Sequence, residues 1–405
     1  MKSYPNTQKP FTSHIDRNMI STEALIEAYP NLYKIDRELH RLVQRIEMLD
    51  YINPINIEQE KRNFFASKYN VNPNFKYRKI DFNAHKLQQA LFSQDIDSIR
   101  DEDTRKFYRE VIYDYSGLIQ CIETIGKGEK FYFNVLKSFG TPTDKDVENA
   151  RFILHFKDEP FNQELFPVFN ADEALQYFQE FSKRFEFTYQ VKMSNKISAA
   201  AMVQNNTQTL FLKKNHRFSA NQLKVLANHE IGVHMVTTFN GIVQPLKVFH
   251  NGFPKNVETQ EGLAVFSEYM SGCLTLYRLK ELSYRVIAAD SLRKGFNFCD
   301  TFDLLHNQYK LNREESYNIC LRAHRGGGFT KDYTYLTGLK KVYTYYKKKK
   351  DLNVLLSGKV NIGNADLITT WKEKGWIAEN PYHNFAFEAC NNESRTIDFI
   401  LENLK

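Results

Sequence analysis

The stretch NHEIGVHM, residues 228–235, has two histidines five positions apart, with a glutamate directly after the first. An α-helix turns about 100° per residue, so side chains five apart, such as His229 and His234, point about 140° apart. One extra residue in a single turn, a π-bulge, would bring both imidazoles to one side, and such bulges are rare and cluster at functional sites. Gly232 lies between the histidines, where its backbone freedom would ease the distortion. The spacing therefore predicts a widened helix that presents two imidazoles to one metal ion.

The residues around this pair have the pattern of a helix. Ser219 is a suitable N-cap, and the pair Asn240-Gly241 is expected to end the helix. Glu230 follows the first histidine, where a carboxylate can act as general base towards a water polarised by a metal. The pattern is therefore typical of a catalytic zinc helix rather than of two unrelated histidines.

A catalytic zinc site needs a third protein ligand and an open position for water. The next predicted helix, TQEGLAVFSEY, offers Glu261 and Glu268, which are seven apart and so lie on nearly the same face. One of them can bind the metal, while the other accepts the free ring N–H of a ligating histidine. Gly262 has no side chain and is expected to let this helix approach the histidines closely. Two such helices form a gluzincin-like arrangement.

Composition argues against several other kinds of protein. The five cysteines show no C-x-x-C spacing, which predicts reduced, mostly buried thiols and neither a thiolate zinc site nor a disulfide framework. The net charge of +7 is mild and no basic stretch reads as a nucleic-acid module, so we expect no nucleic-acid partner. No apolar run of about 18 residues occurs and the first residues lack an apolar signal segment, so we expect no membrane span and a cytoplasmic location. The sequence leaves the oligomeric state open.

The expected fold class is α+β and mainly helical, with a small β-sheet. A chain of 405 residues can bury a large core and suggests two subdomains. The segment FKDEPFNQELFPVFN, rich in Pro and Asn, reads as a connector. We therefore predict a mostly helical N-terminal subdomain over 1–160 and a catalytic domain over 161–405.

Strand signals are few. A short strand is predicted over 72–82. Two further strand-like runs, 188–193 and 207–214, with the turn signal Asn205-Asn206 between them, favour a hairpin.

Three sequence blocks in the second half of the chain resemble one known family. NHEIGVHMVTTFNGIVQPL, TQEGLAVFSEYMSG and RAHRGGGFTKDYTYLTGL follow one another as in the bacterial QEGLA-motif proteins, often described as flavohemoglobin expression-modulating. Their eukaryotic relatives are the microtubule-associated tyrosine carboxypeptidases, which remove the terminal tyrosine of α-tubulin. The resemblance covers about residues 190–340. It implies that His229, His234 and Glu261 bind zinc. It also implies that Glu230 is the catalytic base, which leaves Glu268 to support a ligating histidine.

The resemblance implies a zinc metallopeptidase, and more narrowly a carboxypeptidase that removes a C-terminal, tyrosine-like residue from a peptide or protein. A carboxypeptidase must recognise a free carboxylate, which a guanidinium binds through two parallel hydrogen bonds. Arg322 or Arg325 is expected to do so, and the glycine run after Arg325 is expected to keep the pocket mobile until substrate binds. The candidates for substrate contacts in the third block are Arg322, Arg325, Lys331, Tyr333 and Tyr335.

Two other functions remain open. The H-E-x-x-x-H spacing also resembles the dipeptidyl peptidases of the H-E-L-L-G-H type, so the end of the peptide that is trimmed is open. A regulatory protein with a non-catalytic zinc site belongs to a different class. Structural zinc sites prefer closed, cysteine-rich coordination and would not need Glu230. Loss of activity without loss of fold on changing Glu230 would separate an enzyme from a regulatory protein.

Overall fold

The computed structural model describes residues 22–157, 163–195, 197, 199–204 and 207–405. The protein is mainly helical with two small sheets, so the predicted α+β class is confirmed. The subdomain boundary predicted at residue 160 lies outside the described residues, as does the turn signal Asn205-Asn206.

The N-terminal part of the chain folds into helices, some of which begin at polar caps. The Asp101 side chain accepts the Thr104 amide, and Thr143 forms a capping box with Asp146. A helical stretch over 22–28 precedes the first of these helices. The helices are α1 (Pro30–Val43), α2 (Leu49–Ile52), α3 (Ile57–Ala66), α4 (Ala84–Phe92), α5 (Glu102–Thr124), α6 (Glu129–Phe139) and α7 (Asp144–Leu154).

The short strand predicted over 72–82 is wrong. This segment pairs with no other strand among the described residues, and two of its amides bond to side chains at the beginning of α3. The Lys76 amide donates to Asn56 Oδ1 at 2.8 Å, and the Asn74 amide donates to Glu60 Oε2 at 2.7 Å. Side-chain acceptors thus take the place of a strand partner.

The middle of the chain supplies the sheets. The elements are β1 (Pro167–Phe169), α8 (Ala171–Ser182), β2 (Gln190–Ser194), β3 (Ala201–Gln204), β4 (Thr209–Lys213) and β5 (Phe218–Ser219). β1 pairs with β5, and a three-stranded sheet has the order β2-β4-β3. The two predicted strand runs correspond to β2 and β4, which pair in parallel rather than as a hairpin. The hairpin partner of β4 is β3, from the segment between those runs, and β3 lies at the edge of its sheet.

The rest of the chain is mostly helical. We call the continuous stretch over 220–243 the histidine helix; it consists of α9 (Ala220–Leu226), a π-helical part (Ala227–Met235) and α10 (Val236–Val243). The later helices are α11 (Val248–Asn251), α12 (Asn256–Met270), α13 (Leu276–Arg293), α14 (Phe298–Asp303), a second π-helical part (Leu304–Gln308), α15 (Arg313–His324), α16 (Thr334–Lys347), α17 (Ala365–Glu373) and α18 (Arg395–Asn403). Short 3₁₀ turns cover Ile96–Ser98, Gln163–Leu165, Arg325–Gly327, Thr330–Tyr333, Leu352–Leu356, Ile362–Asn364 and Phe385–Phe387.

The histidine helix begins as predicted but ends later. Ser219 Oγ accepts the Gln222 amide at 3.0 Å, which confirms the N-cap. The helix passes through Asn240 and Gly241 because both residues make tertiary contacts. A Cβ on Gly241 would lie only 2.6 Å from the Phe249 carbonyl oxygen, and the Asn240 amide donates to two backbone carbonyls. The Asn-Gly pair therefore serves packing rather than helix termination.

α12 and α16 cross at two glycines. A Cβ on Gly262 would lie 2.3 Å from the Gly338 carbonyl carbon, and a Cβ on Gly338 would lie 2.1 Å from the Glu258 carbonyl oxygen. The expectation that Gly262 faces the histidine helix is therefore wrong, because its open side faces α16. The close crossing brings the residues just before α16 next to the QEGLA segment of α12.

The largest buried cluster draws on helices from both halves of the chain. The ring of Phe107 in α5 lies 4.7 Å from that of Phe253 and 5.2 Å from that of Trp371, measured between centroids. A smaller cluster lies between the three-stranded sheet and the histidine helix. All five cysteines are free, three of them buried. Among the residues described, no helix combines the length and the apolar character that crossing a membrane requires.

Candidate functional site

The histidine helix widens where the sequence predicts it. Ala227–Met235 is π-helical, so its backbone hydrogen bonds join residues five apart instead of four, and the helix is wider there. The rings of His229 and His234 consequently face the same region, with centroids 5.0 Å apart and planes at 80°. Gly232 makes room on the other side, since a Cβ there would lie 3.3 Å from the side-chain nitrogen of Asn384.

The two histidines meet a carboxylate of α12. Glu261 Oε2 lies 3.6 Å from His229 Nε2 and 3.7 Å from His234 Nε2, and the three ligand atoms lie within 4.8 Å of one another. Ligand atoms in a tetrahedral zinc site with bonds of about 2.0–2.2 Å are about 3.3–3.5 Å apart. Glu261 Oε2 is buried and has no hydrogen-bond partner among the described residues. Two imidazoles and this oxygen therefore fit a divalent ion of the zinc type.

Glu268 of α12 contacts the first of the two histidines, His229. Its Oε1 lies 2.8 Å from His229 Nδ1, and the Glu268 side chain is fully buried. This contact fixes the imidazole so that Nε2 points towards Glu261 and His234. Burial alone would lower the pKa of His229, but the nearby carboxylates of Glu261 and Glu268 outweigh burial and raise that pKa to about 9.

Three charged residues of α13 extend this contact, and sequence reasoning missed them. Arg278 Nε donates to Glu268 Oε2 at 3.2 Å, and Arg278 Nη1 donates to Glu281 Oε2 at 2.8 Å. Glu281 in turn binds Arg285. The three positions are three and four residues apart, hence on one helix face. A charged stripe in an otherwise buried helix was the signal that could have revealed them.

Tyr335 lies beside the same histidine. Its ring is nearly parallel to that of His229, at 6.3 Å and 22°, and the Arg285 guanidinium carbon lies 5.2 Å from the Tyr335 ring centre. The residue is buried, and none of the hydrogen bonds between described residues involves its hydroxyl. Burial raises the pKa of Tyr335, so the hydroxyl stays a donor.

Lys331 binds the other oxygen of the carboxylate that faces the histidines. Its Nζ donates to Glu261 Oε1 at 2.6 Å and lies 5.1 Å from the Tyr335 ring centre. Burial acts to raise the pKa of Glu261, but Lys331 and the two histidines outweigh it, so that this pKa lies well below its usual range. Glu261 is therefore ionised and ready to bind a cation.

Glu230 lies between the histidine helix and the edge strand. Its Oε2 accepts the Val203 amide at 3.3 Å. Because this amide of β3 points to Glu230, it points away from β4. On this side β3 has no strand partner among the described residues, and we call this side its free edge; it runs alongside the carboxylate of Glu230.

The two arginines of the third block have different surroundings. Arg322 forms a two-point ion pair with Asp332, in which Nη2 is 2.9 Å from Oδ1, and its side chain is 24% exposed. Arg325 is buried, donates to Asn53 Oδ1 at 2.6 Å, and its Nε has no partner among the described residues. Burial and the nearby Arg322 lower the pKa of Arg325 to about 10. Arg325 thus points to the N-terminal helices.

The candidates of the third block therefore divide into two groups. Lys331 and Tyr335 reach the His-His-Glu cluster, and Arg322 is held by Asp332, the residue that follows Lys331. Tyr333 instead donates to the Phe139 carbonyl at 2.7 Å, so with Arg325 it faces the N-terminal helices.

The glycine run is packed rather than exposed as a loop. The Gly326 carbonyl accepts the Gly126 amide at 2.7 Å, and the Gly326 amide donates to the Tyr77 hydroxyl at 2.7 Å. A Cβ on Gly326 would lie 2.4 Å from the Phe131 ring. The expected mobile loop is thus replaced by a close contact, and the N-terminal helices hold the segment that leads to Lys331.

Comparison with known proteins gives consistent matches. A model of the family described as "Microtubule-associated tyrosine carboxypeptidase" matches residues 62–405. The chain is 25% identical over 356 residues to "Microtubule-associated tyrosine carboxypeptidase 1" of Homo sapiens, covering 83% of this chain and 65% of that protein. It is 26% identical over 334 residues to the protein of the same name from Mus musculus, covering 79% and 61%. The chain therefore spans less than two thirds of the length of these relatives.

Proposed function

The chain belongs to the microtubule-associated tyrosine carboxypeptidase family, and on that premise we propose that it is a zinc-dependent carboxypeptidase. It would remove one C-terminal residue, aromatic by preference, from a peptide or protein. The name of the relatives supports the reaction and the preference for tyrosine. The cytoplasm remains a prediction for the location of the protein.

One observation carries the proposal. Glu261 Oε2 is buried, lacks a hydrogen-bond partner among the described residues and faces Nε2 of both His229 and His234. A buried carboxylate oxygen without a partner is costly unless a cation binds it. We therefore assign His229, His234 and Glu261 as the zinc ligands.

Zinc, when bound, supplies a Lewis acid that polarises a carbonyl and acidifies water. The residues of the chain supply the remaining steps. Glu230 takes the proton from the attacking water and passes it to the leaving amine. Its contact with the Val203 amide keeps the carboxylate oriented. Tyr335 donates its free hydroxyl to the carbonyl oxygen as negative charge develops there.

The free edge of β3 gives the substrate backbone a place to bind. An extended peptide can add to a sheet edge through main-chain hydrogen bonds. Ala201 and Val203, two apart on β3, present their main-chain groups on the side away from β4; the Val203 amide already binds Glu230, which leaves the Ala201 amide and both carbonyls for a substrate. A peptide bound there would have its main chain next to Glu230.

The terminal carboxylate needs a cation, and Arg322 is the better of the two predicted arginines. Asp332 occupies one edge of its guanidinium and leaves other N–H groups for a ligand. Its partly exposed side chain stays accessible, whereas Arg325 is buried against Asn53. Lys331, which is bound to Glu261, adds a second positive charge from the same block of sequence.

The proposal is tested by incubating the zinc-loaded protein with a peptide library that carries free or amidated C-termini. Mass spectrometry should detect the loss of one C-terminal residue from the free acids, and Glu230→Gln should abolish it. Release of dipeptides from the N-terminus would favour a dipeptidyl peptidase. If both the parent protein and Glu230→Gln bind zinc but neither cleaves any peptide, a regulatory protein with a non-catalytic zinc site would be favoured.

A further inference from the structure

α13 carries a stripe of charges that connects the metal centre to the substrate side. We call Arg278, Glu281 and Arg285 the arginine–glutamate stripe. At one end Arg278 makes two contacts with Glu268, at 3.2 and 3.4 Å. At the other end Arg285 covers Tyr335. The stripe therefore joins two residues that both contact His229.

The contacts close into a ring. Starting at His229 Nδ1, the path runs through Glu268 to the stripe, and from the stripe to Tyr335. The Tyr335 ring then lies nearly parallel to the imidazole from which the path started. Each member of the ring is thus held from two sides.

Stability alone does not account for so many buried charges. Glu268 is fully buried, the side chains of Arg278 and Arg285 are 17% and 10% exposed, and that of Glu281 between them is 34% exposed. Removing charged groups from water costs about as much free energy as their mutual attraction returns, and apolar residues of similar volume often stabilise a fold as well or better. Retained buried ion pairs of this kind point to a role in geometry.

We propose that the arginine–glutamate stripe is a positioning device for the metal centre, which fixes Glu268 against His229 and holds Tyr335 beside the same imidazole. The proposal rests on the proposed function only in taking His229 as a zinc ligand. Arg278 orients the Glu268 carboxylate, so that its Oε1 remains available to the Nδ1 proton. Glu281 holds both arginines and is the centre of the device.

Zinc affinity is the direct readout, measured by competition with a chromophoric chelator. Glu281→Gln keeps the shape of the side chain but removes its charge. Loss of the groups that orient a metal ligand typically weakens binding 10- to 100-fold, and we expect a loss of about 10-fold here. Arg285→Met should lower zinc affinity less, because Arg285 is farther from Glu268 along the stripe. Arg278→Lys keeps the charge but loses the fork that contacts both glutamates, and should fall between the two.

Asp290→Asn is the matched control. Asp290 lies on the same helix, is almost fully buried and pairs with Arg293 at 2.8 Å and with Lys294 at 2.6 Å, but it has no contact with the stripe. Its loss should lower stability and leave zinc affinity unchanged. Wild-type affinity in Glu281→Gln, or an equal loss in Asp290→Asn, would overturn the proposal. Absence of zinc binding in the wild-type protein would instead show that the proposed function fails first.

Discussion

Glu261 is shared between Lys331 and the two histidines, with one carboxylate oxygen for each side. Lys331 Nζ donates to Oε1 at 2.6 Å, and Oε2 of the same group faces both imidazoles without a hydrogen bond to described residues. The carboxylate therefore has a partner for its charge before any metal binds. This division of one buried carboxylate leads to the first prediction.

Lys331→Met should destabilise the metal-free protein by about 3–5 kcal/mol, because it leaves Glu261 buried without its cation. Zinc takes over part of the same negative charge, so the stabilisation that zinc gives should be larger in the variant than in the wild type. Urea unfolding with and without zinc measures both quantities. Lys341→Met is the control, since Lys341 forms an exposed pair with Glu258. An equal zinc effect in wild type and Lys331→Met would contradict the shared-carboxylate account.

Glu230→Gln should keep zinc and lose activity, because it removes a proton acceptor but no ligand. Loss of a general base typically lowers the rate 10²- to 10⁴-fold. His234→Ala should instead lose zinc affinity. Metal content and peptide cleavage, measured on the same samples, separate the two effects. Full activity of Glu230→Gln on a peptide that the parent cleaves would refute its role.

Arg322→Ala should raise KM for peptides with a free C-terminal carboxylate, by about 10-fold or more for loss of a charge-assisted contact. Amidated peptides should be affected much less, if the parent cleaves them at all. Arg325→Ala should act through stability, because Arg325 contacts Asn53 of the N-terminal part. Thermal unfolding should show a loss of stability for both variants, since Arg322→Ala leaves the buried Asp332 without its cation. Steady-state kinetics separates them, and a higher KM for Arg325→Ala but not for Arg322→Ala would contradict this assignment.

Gly262→Ala should destabilise the protein by about 1–3 kcal/mol or more, because the new Cβ would lie 2.3 Å from the backbone of Gly338. The matched control is Gly117→Ala in α5, where the Cβ would meet only the movable Ser138 hydroxyl, at 3.1 Å. That variant should gain about 0.5–1 kcal/mol from helix propensity. Chemical unfolding of both proteins gives the comparison, and equal stabilities would argue against the close crossing of α12 and α16.

Asp114→Asn should change the pH dependence of stability. Burial raises the pKa of Asp114 to about 6, despite a hydrogen bond from the Lys255 amide at 3.4 Å. Since the folded pKa is above the unfolded value, the protonated carboxyl contributes stability below pH 4 that is lost as pH rises through 6. Asparagine carries no charge at any pH, so the variant should be more stable than wild type at pH 7.5, by roughly 3 kcal/mol at most, and not at pH 4. A difference in unfolding free energy that is the same at both pH values would contradict this pKa.

The local part of the site could be predicted because helix geometry is fixed. Five-residue spacing between His229 and His234 requires a widened turn if both bind one ion, and the widened turn is present. The seven-residue spacing of Glu261 and Glu268 likewise brings both carboxylates to His229. These relations lie within single helices, or between two helices with a short connection, and need no knowledge of the whole fold.

The long-range part could not be predicted because it depends on which helices pack together. Gly262 had an expected partner in the histidine helix, yet its contact is Gly338 of α16. The glycine run looked like a mobile loop, but Tyr77 and Phe131 from the N-terminal part pack against Gly326. Nothing in the local sequence indicates which distant residues fill the space that a glycine leaves open.

The central claim is that His229, His234 and Glu261 form a zinc centre. The most direct test is a crystal structure of the zinc-loaded protein, with anomalous diffraction recorded on both sides of the zinc absorption edge. We expect one anomalous peak per chain, within about 2.0–2.2 Å of Nε2 of both histidines and of Glu261 Oε2. An empty cluster at full zinc loading, or a peak bound by other residues, would contradict the claim.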